Sequence, residues 1–484
     1  MRWDQQPVTA QRALQNDRLH KFLNDIVAPF SPHYRQLFAE HKIDPRHIKT
    51  VADLQCLPFT SKRDLLPTDG VPDKVREFVI TPELAAIKRR PRVIAEALLH
   101  GRGAAERTIE REFRPIFLTA TTGRSTARVS FVYTDHDLRN LRVAGARLIQ
   151  VFGATTKMRG VNMFPYAPHL GFWQVVFAGL EFGMFLVGTG GGKVLGTEGN
   201  ITVIDQVQPE AIIGMPTFVY HVLRQAHEAG KRWPQVTRIV LGGEKCPAGM
   251  RRKMVGLLAE MGAADVRVCT TYGLTEARMA WGECPMLPGE RSGYHLFPDL
   301  GVFEVIDPVT GEVRGEGGPG ELVYTPLDAR GSVVIRYRTG DYVDGGITWE
   351  PCPYCGRTVP RIVGEIRRTV SSQELRFDKI KGTIVNFDTL QHLLDDLPEV
   401  GEWQIELRKR NNDPLDVDEL ILHLAPVAGV DQAELERKIR ARFQDETEIT
   451  PNRFEVHLMA EMLQRIKLET SLKEVRVLDS RPKT

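Results

Sequence analysis

The stretch from Thr270 to Glu276 combines three features that suit nucleotide chemistry. The ring of Tyr272 could stack on a purine, and Gly273 allows the backbone to approach a ligand closely. The hydroxyl of Thr275 precedes the carboxylate of Glu276, and a carboxylate oxygen is a good Mg²⁺ ligand beside phosphates. The alternative is a helix start, with Thr275 as the cap and Glu276 favoured by the helix dipole. The stretch therefore indicates nucleotide binding only if other segments support it.

A second segment, residues 119–126, reads Thr-Ala-Thr-Thr-Gly-Arg-Ser-Thr and lies between two apolar, β-prone stretches. Hydroxyl groups, a glycine and a cation in one loop are groups that bind a polyphosphate. The alternative is a plain β-hairpin turn. A phosphate-binding loop here would complement the purine and Mg²⁺ contacts expected from the first stretch.

Two more polar segments follow apolar, strand-like ones. Gly243 and Glu244 come after the segment at 238–241, and Asp341 comes after the segment at 333–337. A solvent-facing carboxylate just past a strand could accept hydrogen bonds from a ribose diol. A plain Gly-Asp turn is the alternative interpretation of Asp341.

Cys352 and Cys355 form a C-x2-C pair, which is half of a tetrahedral zinc site. Cys284 and His295 are candidates for the other two ligands, because both precede the same β-rich region. Four protein ligands with no open position would make the Zn²⁺ structural rather than catalytic. The alternative is a turn that contains two reduced cysteines.

The elements that position these residues alternate between helix and strand from about residue 135 to residue 269. That alternation predicts an α/β fold with a mostly parallel sheet, whose ligands bind beyond the carboxyl ends of the strands. Short strands with turn residues after residue 301 predict a β-rich module, and the last hundred residues read as an α+β unit. We therefore expect a large domain at 1–364, with its β-rich part at about 284–364, and a small domain at 365–484.

Composition excludes several classes of protein. The 484 residues carry 64 basic and 62 acidic side chains, and this near balance argues against a nucleic-acid partner. Basic pairs such as Arg367-Arg368 are interpreted as solvated surface. Gln174 and Glu181 interrupt the most apolar window, so no membrane span is expected. The N-terminus has no apolar signal segment, which predicts a cytoplasmic protein.

Taken in order, these segments resemble the adenylate-forming enzymes, and specifically the phenylacetate–coenzyme A ligase family. The resemblance rests on the Tyr-Gly-Leu-Thr-Glu motif at 272–276 and the Tyr-Arg-Thr-Gly-Asp motif at 337–341, and it extends over nearly the whole chain. It implies a large nucleotide- and acid-binding domain followed by a small mobile one.

The resemblance also implies a role for each motif. A phosphate loop would consist of Thr119, Thr121, Thr122, Gly123 and Arg124. Gly243 and Glu244 would border the adenine, Tyr272 and Gly273 would lie against the purine, Thr275 and Glu276 would serve the α-phosphate and Mg²⁺, and Asp341, with Arg361, would hold the ribose. Lys473 would stabilise the reacting oxygens as the lysine of the mobile domain. The four cysteine and histidine residues resemble a zinc site found in part of the family.

Two segments depart from the family pattern. Ala120 and Arg124 replace a glycine and a lysine of the usual phosphate loop, and Gly364-Glu365-Ile366-Arg367 stands where the family has a Gly-Arg-x-Asp hinge. The charge of the loop is kept, so adenylation is expected to survive. The hinge is less clearly matched.

The function implied is an ATP- and Mg²⁺-dependent, AMP-forming ligase that joins a carboxylic acid to coenzyme A. An aromatic-rich set of residues suits an aryl or arylacetic acid: Tyr166, His169, Phe172 and Met215. One alternative transfers the acyl group to a carrier-protein thiol or an amine, and another is a non-catalytic nucleotide-binding homologue. A homodimer is possible in any of these cases.

Overall fold

A computed structural model describes residues 2–68, 73–83, 87–88, 90–121, 129–368, 377–380, 383–412, 418–447, 450–467 and 474–481. Four predicted site residues lie outside the described residues: Thr122, Gly123, Arg124 and Lys473.

The described helices are α1 Val8–Phe22, α2 Ala28–Phe30, α3 Pro32–Glu40, α4 Pro91–His100, α5 Arg102–Phe113, α6 Asp135–Val151, α7 Leu170–Phe182, α8 Gly192–Val207, α9 Pro216–Glu228, α10 Ala248–Glu260, α11 Phe387–Asp395, α12 Gln432–Thr447 and α13 Met459–Arg465. No described helix has the length and apolar character that crossing a membrane would require.

The described strands are β1 Phe117–Ala120, β2 Ser130–Tyr133, β3 Arg159–Asn162, β4 Phe185–Gly188, β5 Ala211–Gly214, β6 Arg238–Leu241, β7 Arg267–Leu274, β8 Met279–Gly282, β9 Tyr294–His295, β10 Gly301–Ile306, β11 Gly320–Pro326, β12 Tyr337–Val343, β13 Ile347–Thr348, β14 Arg361–Ile362, β15 Ile366–Arg368, β16 Phe377–Ile380, β17 Thr383–Asn386, β18 Val400–Lys409, β19 Asp418–Pro426, β20 Arg453–Val456 and β21 Val477–Asp479.

The largest described sheet has nine strands in the order β13-β14-β9-β8-β7-β6-β5-β3-β4. Strands β3 to β7 are parallel, and β7 to β9 continue antiparallel. The parallel strands are buried runs such as Ala211–Gly214, because helices cover both faces of such a sheet. The predicted α/β class with a mostly parallel sheet is confirmed.

A second sheet, β10-β11-β12-β15, is antiparallel and confirms the β-rich module. Its edge strand β15 pairs with β12, so this sheet continues through Arg368, beyond the predicted boundary at residue 364. Strands β9, β13 and β14 lie in the same sequence range but extend the nine-stranded sheet instead.

The C-terminal part contains a four-stranded sheet, β20-β19-β18-β21, which packs with α11 and α12 around a separate apolar core that includes Trp403. One edge of this part docks on the larger one. Met462 and Ile466 of α13 and its C-terminus join the apolar cluster beneath α9 and α10. Lys253 of α10 donates to the carbonyl oxygen of Val400 at 3.0 Å.

Candidate active site

The carboxyl end of β6 lies beside Thr270, in the middle of the parallel strand β7. The Oγ1 of Thr271 donates to the carbonyl oxygen of Leu241 at 3.1 Å, and a Cβ on Gly242 would meet that same Oγ1 at 2.2 Å. Only glycine therefore fits where the chain leaves β6. Gly243 follows with a φ of +82° and is exposed. Beyond it, the Glu244 carboxylate accepts a hydrogen bond from Thr217 Oγ1 at 2.7 Å.

Tyr272 and Asp341 meet although they come from different sheets. The Tyr272 hydroxyl donates to Asp341 Oδ2 at 2.8 Å, and both side chains are buried. The Tyr272 ring stacks on Trp281, with centroids 6.0 Å apart. On the same strand, Gly273 is exposed, which leaves backbone accessible there. The motifs at 272–276 and 337–341 are thus parts of one site.

Glu276 lies in the turn between β7 and β8, so the alternative of a helix start is wrong. Its Oε1 accepts a hydrogen bond from the Tyr337 hydroxyl at 2.9 Å. Thr275 precedes it in the same turn, and its carbonyl oxygen accepts from the backbone N–H of Arg278 at 3.1 Å. The sequence motif contained Tyr337, but its role as the partner of Glu276 was not predicted.

Burial raises the pKa of both site carboxyls. For Glu276 desolvation outweighs the hydrogen bonds to its carboxylate, including that from Tyr337, and for Asp341 it outweighs the opposing charge of Arg368. Two carboxyl groups whose desolvation disfavours the charged form are suited to a cation or to hydroxyl donors from a ligand.

The arginine that contacts Asp341 is Arg368, not Arg361. Arg368 Nε lies 3.2 Å from Asp341 Oδ1, and its Nη1 donates to the Thr339 carbonyl oxygen at 2.9 Å. Arg361 is instead buried on β14, where its guanidinium donates to backbone carbonyl oxygens of Ser292 and Glu350. The interpretation of Arg368 as solvated surface was incomplete, because strand register opposes it to Asp341.

Strands β1 and β2 pair in register from Phe117 and Tyr133 to Ala120 and Ser130, so the predicted phosphate loop joins the strands of a hairpin. Thr121 closes the hairpin: its N–H donates to the Val129 carbonyl oxygen at 2.9 Å. Thr119 is fully buried and its hydroxyl lies 2.9 Å from that of Tyr133. Thr119 therefore anchors the strand, contrary to the expectation that it faces a phosphate.

An aromatic cluster lies beside β1. The rings of Tyr166, Phe172 and Trp173 contact one another with centroids 5.3 to 5.9 Å apart, and Phe117 lies 5.2 Å from Trp173. His169 Nδ1 is 2.9 Å from the Ala120 carbonyl oxygen, which connects the cluster to the end of β1, where the predicted phosphate loop begins. Met215 is buried at the end of β5, two residues before the Thr217 that contacts Glu244.

The four predicted zinc ligands lie together, with one ligand atom from each within 4.8 Å of the others: Cys284, His295, Cys352 and Cys355. Cys284 Sγ is 3.9 Å from both His295 Nε2 and Cys352 Sγ, and Cys355 Sγ is 3.4 Å from His295 Nε2. Ligands at about 2.0–2.3 Å around a tetrahedral ion are about 3.3–3.8 Å apart. His295 Nδ1 faces the Gly282 carbonyl oxygen at 3.2 Å, which leaves Nε2 for a metal.

Glu474, the residue after Lys473, lies close to Glu244 at the carboxyl end of β6. Burial, and to a lesser extent the charge of Glu244, raises the pKa of Glu474 to about 8 despite its ion pair with Arg476. Arg476 also bonds Glu402 at 2.6 Å. The C-terminal part thus brings Glu474 towards Glu244, just after β6.

Comparison with known proteins agrees with this geometry. Residues 118–326 match the family described as AMP-binding enzyme. The chain is 29% identical over 401 residues to a phenylacetate-coenzyme A ligase of Thermus thermophilus, which covers 82% of this chain and 78% of the relative. It is also 29% identical over 338 residues to a phenylacetate-coenzyme A ligase of Aromatoleum evansii, over 68% of this chain and 65% of the relative.

The fold is similar to the crystal structure of a 2-hydroxyisobutyryl-CoA ligase in its postadenylation state, with a TM-score of 0.74 and 19% identity over 99% of this chain and 92% of that one. The AMP-binding match over 118–326 and the ligase relatives thus support an ATP-dependent ligase of the AMP-forming type. The relatives that the chain resembles are named phenylacetate-coenzyme A ligases.

Proposed function

We propose that the protein activates an aryl or arylacetic acid as an acyl adenylate and transfers the acyl group to coenzyme A. The observation that carries this proposal is the hydrogen bond between Tyr272 and Asp341, which joins two motifs 69 residues apart beside Glu276. The relatives, which are named phenylacetate-coenzyme A ligases, support both the class of acid and the acceptor.

The reaction has two steps. A carboxylate oxygen of the acid attacks the α-phosphorus of ATP, forming an O–P bond as pyrophosphate leaves. The thiol sulfur then attacks the acyl carbon, the bond to AMP breaks, and the thiol proton is released. The protein supplies positioning and charge stabilisation for both steps.

Each described site residue has a role that suits its position. Tyr272 lies against the purine and orients Asp341, which accepts hydrogen bonds from the ribose hydroxyls. Thr275 and Glu276 serve the α-phosphate, and a Mg²⁺ ion held at Glu276 would offset phosphate charge. Outside the described residues, Arg124 and Lys473 donate to phosphate and reacting oxygens, as the family resemblance implies.

The aromatic cluster of Phe117, Tyr166, Phe172 and Trp173 supports an aryl acid. Aromatic rings attract one another edge to face, and such pairs add about 0.5–1.5 kcal/mol beyond their buried area. Tyr166 is 64% exposed, so the cluster has one side open to a ligand. His169 joins this cluster to the phosphate loop, where the acid carboxylate must reach ATP.

A pyrophosphate-release assay over aryl, arylacetic and fatty acids, with and without coenzyme A, tests the proposal. We expect release with aryl or arylacetic acids and a coenzyme A thioester as product. Adenylation without the thioester would favour a carrier-protein thiol or an amine as the acceptor. No acid-dependent exchange of pyrophosphate into ATP with any acid would favour the non-catalytic homologue.

We also propose that Cys284, His295, Cys352 and Cys355 hold a structural Zn²⁺. Their distances and the burial of three of them support a closed four-ligand site. Metal analysis of the purified protein should find zinc at near-stoichiometric level, and Cys352→Ser should lose it together with thermal stability. Cys56→Ser, at an exposed cysteine, is the matched control. Absence of near-stoichiometric zinc would refute the site.

A further inference from the structure

A second group of metal-ligand side chains lies in the C-terminal part. His423 is on β19 and Glu455 is its partner in register on the parallel strand β20. His457 follows β20, and its N–H donates to the Leu424 carbonyl oxygen at 2.8 Å. Strand pairing therefore places His423 beside Glu455 and His457, although it lies 34 residues before His457 in sequence.

The distances among the three ligand atoms suit a single ion. His423 Nδ1 lies 2.9 Å from His457 Nε2 and 3.3 Å from Glu455 Oε2, and all three atoms are within 4.8 Å of one another. Two nitrogen ligands at about 2.0–2.1 Å from a metal are about 2.9–3.4 Å apart, depending on the angle between them. The same distance would also fit an N–H···N hydrogen bond, so the surroundings must decide between the two.

Each histidine turns its other nitrogen towards a carboxylate. His423 Nε2 is 2.9 Å from Glu406 Oε2, and His457 Nδ1 is 3.9 Å from Glu461 Oε2. At His423 the carboxylate is within hydrogen-bond distance and favours the tautomer that leaves Nδ1 free for a metal, whereas at His457 the distance is that of an ion pair only. Glu455 Oε2 also converges on His423 Nδ1, and a simple pair of hydrogen-bonded histidines would not need this third group.

One further charged side chain, Arg465, lies near His423. Arg465 Nη2 lies 3.0 Å from His423 Nε2 and 3.4 Å from Glu406, on the side of the ring opposite the ligand nitrogen. Glu406 can accept from both the guanidinium and the Nε2–H of His423 and balances the guanidinium charge, while Glu455 remains to offset a cation. The side chain of His423 is only 2% exposed, but those of His457 and Glu455 are 19% and 35% exposed, which gives solvent access to one face.

We propose that His423, Glu455 and His457 bind one divalent transition-metal ion such as Zn²⁺, with water at the open position. Two nitrogens and one carboxylate oxygen form a ligand set that Zn²⁺ and Co²⁺ accept. The ion would link β19 to β20 and to the start of α13. There Met459 Sδ lies 2.8 Å from Arg224 Nη1 of the larger part, so the bound metal would also stiffen the docked edge.

Co²⁺ titration of the full, chelator-treated chain tests this site independently of the cysteine site. A site with thiolate ligands produces intense thiolate-to-metal absorption, whereas a nitrogen and oxygen site does not. We expect one equivalent of Co²⁺ without thiolate absorption, and its affinity should fall at least tenfold in His457→Gln and in the conservative, partly exposed Glu455→Gln. Any equivalent bound by the cysteines should be unchanged in both variants.

His227→Gln is the matched control, because His227 forms a surface pair with Glu260 at 2.7 Å. It should leave both kinds of Co²⁺ binding unchanged. The proposal is overturned if the wild type binds no Co²⁺ outside the thiolate site, or if His457→Gln and Glu455→Gln both retain that equivalent with unchanged affinity. In the first case the two histidines share a hydrogen bond only.

Discussion

Two carboxylates flank the same short strand, β8, yet their surroundings are opposite. Glu283 accepts hydrogen bonds from Thr270 N at 3.2 Å and Thr270 Oγ1 at 2.6 Å, and it forms an ion pair with Arg251 at 2.8 Å. Glu276, at the other end of β8, accepts from the neutral hydroxyl of Tyr337. Within the described residues, Glu283 has an ion-pair partner in direct contact, whereas Glu276 has none at that distance.

The difference indicates that the Glu283 pair supports the fold, whereas Glu276 is available for function. A buried charge that is paired and hydrogen-bonded holds elements together, whereas a buried charge without compensation costs free energy that a functional site can recover on binding a ligand. Arg251 and Glu283 fix α10 against β7, which keeps Tyr272 in place. Glu276 has a raised pKa and is available to a cation.

Breaking the supporting pair should have the largest effect. Arg251→Met leaves Glu283 buried without its cation, and loss of one partner of a buried pair typically costs about 3–5 kcal/mol of unfolding free energy. Urea denaturation measures this. The double variant Arg251→Met with Glu283→Leu should recover most of the loss, since an apolar pair replaces the ions. A loss below about 1 kcal/mol in the single variant would mean that the pair is not structural.

Glu276→Gln should have the opposite effects: little change in stability and a large loss of activity. The isosteric amide removes an uncompensated charge, so the unfolding free energy should stay the same or rise. Adenylation should fall by about 10²–10³-fold, the scale of losing one electrostatic contact to a transition state. Acid-dependent pyrophosphate exchange measures the rate, with exposed Glu290→Gln as control. Full activity in Glu276→Gln would remove this residue from the proposed chemistry.

The sequence predicted the elements better than it predicted the partners. The helix expected from Asp135, the parallel strands and the cysteine–histidine cluster were all found, because each is specified by periodicity, by caps or by the chemistry of its own side chains. Thr134 and Asp137, for example, form a capping box at the start of α6. Such local signals can be recognised in the sequence without knowledge of the fold.

Pairing across strands was less predictable. Arg361 and Arg368 are seven residues apart and chemically identical, so only the register of β15 against β12 shows which one reaches Asp341. Likewise, Thr119 seemed equivalent to Thr121 in a hydroxyl-rich loop. The hairpin register turns the Thr119 hydroxyl inwards to Tyr133.

The raised pKa values of the two site carboxyls also predict a pH dependence of ligand binding. Because the pKa values of Glu276 and Asp341 are raised in the free protein, Mg·ATP binding should release protons, and affinity should increase with pH until both groups are ionised. The increase is at most about tenfold per pH unit for each proton released. Calorimetry in buffers of different ionisation enthalpy measures the release, and Glu276→Gln should lower it.

The same pKa shifts determine the direction in which the stability of the ligand-free protein changes with pH. A carboxyl with a raised pKa in the folded state contributes stability that is complete below its unfolded pKa and is lost as pH rises through the folded value. The melting temperature of the free protein should therefore decline over that window, less steeply in Glu276→Gln. An equal slope in both proteins would contradict the raised pKa of Glu276.

The smallest effect on stability and binding is expected from substitution of Arg368, whose exposed ion pair contrasts with the buried pair of Arg251. Its side chain is 74% exposed, so its ion pair with Asp341 resembles a surface pair worth about 0–1 kcal/mol, in contrast to the buried Arg251. Arg368→Gln should weaken ATP binding by no more than about fivefold, which is that energy expressed as affinity, and should hardly change the unfolding free energy.

Arg367→Gln is the matched control for Arg368→Gln, because its guanidinium lies over the Tyr342 ring at 5.1 Å rather than at a carboxylate. Since the charge of Arg368 opposes the upward shift in the pKa of Asp341, its removal should also move the pH dependence of ATP binding to higher pH. Arg367→Gln should leave the pH dependence of ATP binding unchanged, because Arg367 only covers an aromatic ring. Identical pH profiles for the two variants would therefore show that Arg368 acts as solvated surface, as the sequence alone suggested.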